Sequence, residues 1–208
     1  MPAGDEATCR VWVLGCGAIA GELTKVLGQL EGIDVTLDHL PGILHNRPEE
    51  IPPAIEKRLI ERAGQFDRVI LGYADCGTGG RLDALVERWD NVIRIPGAHC
   101  YEFFAGSDTF AVLNDPFTFY LTDYLARHFD LFVWRGLGLD RWPHLRDEYF
   151  RNYRRLVYLS QQPTDELIAR SRDAADRLGL EFQHVDTGLG PFRDALDRIG
   201  LVGEPHVG

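Results

Sequence analysis

The sequence predicts an α/β fold: a mostly parallel, Rossmann-like three-layer sheet with helices on both faces. Three observations predict it. Short apolar runs alternate with stretches of helical periodicity along most of the chain. The first run ends in a glycine-rich turn that leads straight into a helical pattern, the grammar of a strand-turn-helix unit. The 208 residues, 45% hydrophobic and 26% charged, fit one globular domain with a sizeable core and exclude disordered, collagen-like and coiled-coil chains.

Val11-Trp12-Val13-Leu14 is the first strand, Gly15-Cys16-Gly17 its turn, and Ala18, Leu23, Val26 and Leu30 mark the following helix. Val35-Thr36-Leu37 is the second strand, followed by a loop around Leu40-Pro41-Gly42 and a helix over residues 55–63. Residues 68–73 form the third strand and residues 82–89 a helix, before the strand Val92-Ile93-Arg94-Ile95. Residues 103–116 carry the poorest regular signal and read as a lid or irregular loop. Beyond them, Leu131-Phe132-Val133-Trp134, Leu156-Val157-Tyr158-Leu159 and Leu180-Glu181-Phe182 are strand candidates, with helices near residues 120–128, 145–153 and 164–178. No internal repeat or low-complexity linker interrupts the chain, so residues 1–208 are expected to form a single domain, with residues 1–9 and 200–208 as loose tails.

Composition excludes some partners. With 22 Lys+Arg against 32 Asp+Glu, a net charge of −10 and no basic run, the chain lacks the positive footprint of a nucleic-acid binder. No apolar stretch approaches the roughly 20 residues of a membrane span, and the acidic start is no secretory leader. A cytoplasmic protein is expected, and its four cysteines are expected as thiols and not as a disulfide framework.

Ligands of an open α/β sheet bind outside the carboxyl ends of its strands. Cys16, Cys76 and Cys100 each follow a strand run, whereas Cys9 precedes the first. Converging thiolates, with His99 beside Cys100, make a soft donor set suited to zinc, to iron or to an iron–sulfur cluster, and three cysteines leave an open position. Two other readings stand beside it. Each cysteine can be an inert, buried small residue, or one can be a nucleophile activated by a helix N-terminus with His45 or His99 as base.

The spacing Gly15-x-Gly17-x-x-x-Gly21, with Asp38 near the end of the next strand, is a variant of a dinucleotide-binding turn. Its glycines equally permit a tight turn and close helix packing. Gly77, Gly79 and Arg81 in Cys76-Gly77-Thr78-Gly79-Gly80-Arg81 offer backbone N–H groups and a charge to an anion, or a plain flexible connection.

The ordered set Gly15-Cys16-Gly17, Leu44-His45-Asn46-Arg47-Pro48, Asp75-Cys76-Gly77, His99-Cys100-Tyr101-Glu102, Phe119-Tyr120-Leu121-Thr122-Asp123 and Gly138-Leu139-Asp140 resembles domain-of-unknown-function family 1638. The resemblance runs from the first strand to the strand containing Tyr158. It implies a setting beside corrinoid-dependent methyltransferases that demethylate methylamines and betaines, hence a role in one-carbon metabolism. The expectation is a metal-binding protein with Cys16, Cys76, Cys100 and His99 as ligands and a small-molecule ligand, serving as enzyme or accessory. In it His45, Glu102 and Asp75 hydrogen-bond the ligands or move protons, and Tyr120 and Asp123 shape the pocket. A nucleotide-binding enzyme using the first glycine turn is the first alternative, and a non-catalytic accessory of a methyltransferase or corrinoid protein the second.

Overall fold

The computed structural model describes residues 9–201. Of the two expected tails, residues 1–8 and 202–208 lie outside the described residues. Residues 200 and 201 are held in place: the Ile199 and Gly200 carbonyls accept hydrogen bonds from Arg68, and Leu201 is buried. The chain falls into two compact units, Met1–Ala98 with Leu196–Gly208, and His99–Ala195.

The first unit runs β1 (Arg10–Cys16), α1 (Ala20–Leu27), β2 (Asp34–Leu40), α2 (Ile51–Arg62), β3 (Arg68–Gly72), α3 (Arg81–Val86) and β4 (Val92–Arg94). Its four strands lie in the order β2-β1-β3-β4 and every pairing is parallel. Trp12, Val13 and Leu14 of β1 and Val69, Ile70 and Leu71 of β3 are fully buried, as central parallel strands covered on both faces must be. The chain leaves β1 toward β2 and then crosses back to β3 on the other side. Strand order therefore reverses between β1 and β3, the kind of position at whose carboxyl ends open α/β sheets bind ligands.

Glycine is required at the end of β1 by close approach. A Cβ on Gly17 would lie 2.8 Å from the Leu40 carbonyl oxygen and 2.9 Å from the Gly42 nitrogen, both backbone atoms. The turn after β1 and the loop after β2 are thus in direct contact. Gly17→Ala is expected to cost about 1–3 kcal/mol in chemical denaturation by forcing the two segments apart. An unchanged midpoint would show that the contact is loose.

The second unit runs α4 (Cys100–Ala105), α5 (Ser107–Leu113), β5 (Thr118–Leu121), α6 (Asp123–Arg127), α7 (Leu145–Phe150), β6 (Arg155–Ser160), α8 (Asp165–Leu178), β7 (Glu181–Asp186) and α9 (Gly190–Arg198), whose last residues belong to the first unit. Its sheet is parallel with the order β5-β6-β7. Successive β6 side chains serve opposite faces. Leu156 and Tyr158 pack with Ala174, Ala175 and Leu178 of α8, whereas Val157 and Leu159 pack with Ala105 and Leu113. Both sheets are parallel and flanked by helices, as the fold class predicts.

Three local expectations are corrected. Residues 103–116 are largely helical: α4 and α5 meet at Gly106, which has a φ of +78°, and Phe103 and Phe104 pack on Phe192 with centroids 5.2 Å apart. Helices of six and seven residues are too short to repeat an apolar period. The run Leu131-Phe132-Val133-Trp134 lies in a π-helix, Asp130–Trp134, closed by the Arg135 N–H on the Asp130 carbonyl at 2.9 Å. A short apolar run does not distinguish strand from buried helix. Tyr120 and Leu121 belong to β5, and the helix begins at Asp123 with the Thr122 hydroxyl capping Leu125 N–H at 3.4 Å.

Candidate functional site

The reversal between β1 and β3 collects four side chains of the first unit. Cys16 ends β1, Tyr73 and Cys76 follow β3, and His45 lies in the 3-10 turn Gly42–Asn46 after β2. Cys16 Sγ accepts the Ala18 N–H at 3.2 Å, which fixes the sulfur over the start of the next turn. It stands 3.6 Å from His45 Nδ1 and 4.0 Å from Nε2. His45 Nδ1 also lies 3.2 Å from the Gly42 carbonyl oxygen. A proton on Nδ1 satisfies that carbonyl and leaves the Nε2 lone pair free. The contact of Gly17 with Gly42 is what brings these two distant segments together.

Burial governs the charges. It pushes the Cys16 thiol from 9.0 up to about 12, with the neighbouring Cys76 adding to the rise, and it pushes Cys76 up to about 11. Burial lowers the His45 pKa, against the Gly42 bond that raises it. Near neutral pH the pair is a thiol beside a neutral imidazole, whereas an activated nucleophile requires the opposite shift of the thiol.

Tyr73 was not singled out by the sequence. It is 1% exposed, its ring lies parallel to His45 (9° between planes, centroids 6.4 Å apart), and its hydroxyl has no hydrogen-bond partner among the described residues. Burial raises its pKa, and any charge on Cys16 or Cys76 would raise it further.

The loop after β3 is coiled tightly, with φ of +52° at Cys76, +80° at Gly77, +65° at Gly79 and +80° at Gly80. Asp75 fills it. Its carboxyl accepts the Thr78 hydroxyl at 2.6 Å and the N–H groups of Gly80 at 2.9 Å and Gly79 at 3.1 Å. The Thr78 bond, first among these, holds Asp75 below the usual carboxylate range. Of the N–H groups expected to meet an anion, that of Gly79 already meets this carboxylate, and Arg81 Nε donates to the Thr78 carbonyl at 2.9 Å. At the other glycine turn, a Cβ on Gly15 would lie 2.3 Å from Leu23 Cδ1, so its bareness serves helix packing. Asp38 accepts Trp12 Nε1–H at 3.0 Å and pairs with Arg58 and Arg62.

The remaining expected site residues lie in the second unit. His99 precedes α4, and Cys100 and Glu102 open it. The Tyr120 hydroxyl donates to the Leu113 carbonyl. Asp123 is fully buried and accepts the Tyr158 hydroxyl at 2.8 Å and the N–H groups of Gln161 at 3.2 Å and Gln162 at 2.9 Å. Cys16 and Cys76 thus belong to one unit, His99 and Cys100 to the other. Among the described residues no three His, Cys, Asp or Glu side chains already stand as a metal-binding group.

The model of a family described as protein of unknown function, DUF1638, matches residues 39–196. The chain belongs to the DUF1638 family. The DUF1638 match contains His45, Tyr73, Cys76 and Cys100, whereas Cys16 precedes it. No curated protein and no solved structure matches the chain. Among the described residues no helix is long and apolar enough to cross a membrane.

Proposed function

We propose that this DUF1638 protein binds one zinc or iron ion at the strand reversal of its first unit, with Cys16, Cys76 and His45 as ligands. The separation of Cys16 Sγ from the His45 ring nitrogens, 3.6 and 4.0 Å, carries the reading. The nitrogen free for a metal is Nε2, 4.0 Å from Cys16 Sγ, whereas metal–sulfur and metal–nitrogen bonds of about 2.3 and 2.0–2.1 Å at a tetrahedral angle set sulfur and nitrogen about 3.6 Å apart, so binding draws the two side chains slightly together. The Gly42 carbonyl on Nδ1 orients the imidazole as the outer hydrogen bond of a metal-bound histidine does. Cys76, whose charge would add to the rise of the Cys16 thiol, is the third ligand of this reading. Metal binding deprotonates both thiols, which burial alone holds protonated.

A dication balanced by two thiolates and a neutral imidazole is a soft Lewis acid with room for one more ligand. The resemblance to the family supplies the setting: corrinoid-linked methyl transfer in cytoplasmic one-carbon metabolism, with a methyltransferase or corrinoid protein as partner. A reducing compartment keeps the thiols available.

Elemental analysis of anaerobically purified protein tests the site. About one zinc or iron per chain is expected in the wild type, falling to background in Cys16→Ser and Cys76→Ser while the far-ultraviolet circular dichroism is retained. Cys100→Ser is expected to keep its metal. Wild-type protein that stays metal-free after reconstitution with either ion rejects the proposal. The visible spectrum separates zinc, a mononuclear iron and a cluster.

A further inference from the structure

The second unit carries a local charge opposite in sign to that of the chain. Between residues 135 and 155 six arginines stand against three acidic side chains, in a protein whose net charge is −10. Arg155, Arg170 and Arg177 of this unit each reach a carboxylate, at 3.6, 2.8 and 2.8 Å. Arg151 and Arg154 are exposed and reach none among the described residues. Arg154 lies instead over the exposed Phe117 ring, 4.5 Å from its centroid, and its backbone N–H donates to the Phe117 carbonyl at 2.8 Å. Arg151 borders a groove of about 320 Å³ between the end of α7 and the turn from α8 to β7, lined also by Phe150 and Tyr153. These two rings pack on each other and on Phe119, with centroids 5.3 to 5.8 Å apart, which fixes the apolar lining between the two free guanidinium groups.

We propose that this face docks an acidic segment of a partner protein, with a bulky apolar side chain of the segment in the groove and its flanking carboxylates on Arg151 and Arg154. Arginine and aromatic side chains carry most of the energy of protein interfaces, and the guanidinium fork matches a carboxylate in shape and charge. Charge decides among the occupants. A second copy docked by two-fold symmetry would set these arginines against one another. A nucleic acid extends past the patch and meets the acidic remainder of the chain, whereas a short segment feels only the charges within a Debye length of about 8 Å.

The test uses the full-length protein and a fluorescein-labelled peptide, Glu-Glu-Phe-Glu-Glu, followed by fluorescence anisotropy. Saturable binding that weakens with added salt is expected in the wild type. Affinity is expected to fall roughly tenfold when Arg151→Glu and Arg154→Glu are combined, since two attractive pairs become repulsive. A comparable fall is expected when the peptide's phenylalanine becomes alanine or its glutamates become glutamines. Both arginines are exposed, so the far-ultraviolet circular dichroism of the double variant should match that of the wild type. If it does not, Arg151→Glu alone carries the test, with roughly a threefold loss expected. Absence of saturable binding overturns the proposal, as does equal affinity in the variants or for the glutamine peptide. Tighter binding of an oligothymidylate of the same charge, lost in the variants, overturns it in favour of a nucleic acid. A dimer seen by sedimentation in the wild type and lost in the variants overturns it in favour of a second copy.

Discussion

Replacing Asp123 with alanine is expected to destabilise the second unit by about 3–5 kcal/mol, the range for removing one member of a buried, charge-assisted network. Asp123 has no exposed surface and accepts from Tyr158 Oη and from the backbone nitrogens of Gln161 and Gln162, while its own N–H donates to Gln161 Oε1 at 3.3 Å. It therefore ties the end of β5 to the segment leaving β6. Alanine would leave three donors without this acceptor, two of them in buried bonds and the Gln162 N–H in a part-buried one. Tyr158→Phe removes only one donor and is expected to cost about 1 kcal/mol. Chemical denaturation of the two variants separates these magnitudes. An alanine variant within about 1 kcal/mol of wild type would mean that water replaces the carboxylate.

Metal-free protein is expected to lose stability as the pH rises above 9. Burial holds the Cys16 and Cys76 thiols up at about 12 and about 11, against 9.0 for an ordinary thiol. Above that ordinary value the unfolded chain has released both protons while the folded protein still holds them. The unfolded state then binds fewer protons, so the free energy of unfolding falls with pH. The contribution is fully present below pH 9.0 and is lost progressively toward 11 and 12. For Cys16, which is 3% exposed, the rise from 9.0 to about 12 corresponds to about 4 kcal/mol. Cys76 and, above its ordinary 10.0, Tyr73 act in the same direction. Urea denaturation at a series of pH values checks the slope. Cys16→Ala should flatten it, and a wild-type profile already flat above pH 9 would contradict the burial of the thiols.

Much of the fold was legible because β1, β3 and β6 are buried on both faces and so read as uninterrupted apolar runs. The placement of Cys16 and Cys76 at carboxyl ends followed from the strand-turn-helix order alone. What escaped was set by contacts far apart in sequence. His45 meets Cys16 because the Gly17 turn touches the Gly42 loop, and nothing in Leu44-His45-Asn46 encodes that approach. Tyr73 sits at the end of an apolar run and looks like core; its hydroxyl becomes informative only when its lack of a partner among the described residues is seen. β5 spans four residues and adjoins a helix, so its apolar residues merge with the helical pattern. Cys100 follows the strand run Val92-Ile93-Arg94-Ile95 closely in sequence, yet the division between the units falls between Ala98 and His99.

The return of the chain from Leu196 onward gives the molecule a definite order of synthesis. Residues 99–195 are threaded into the first unit as an insertion, so a ribosome finishes the second unit before it makes the segment that closes the first. Until then Arg68 lacks the carbonyls of Ile199 and Gly200, and the buried seat of Leu201 stands empty. The unit that carries Cys16, His45 and Cys76 is therefore begun first and completed last, and its paired thiols spend the interval on a nascent sheet without its final contacts.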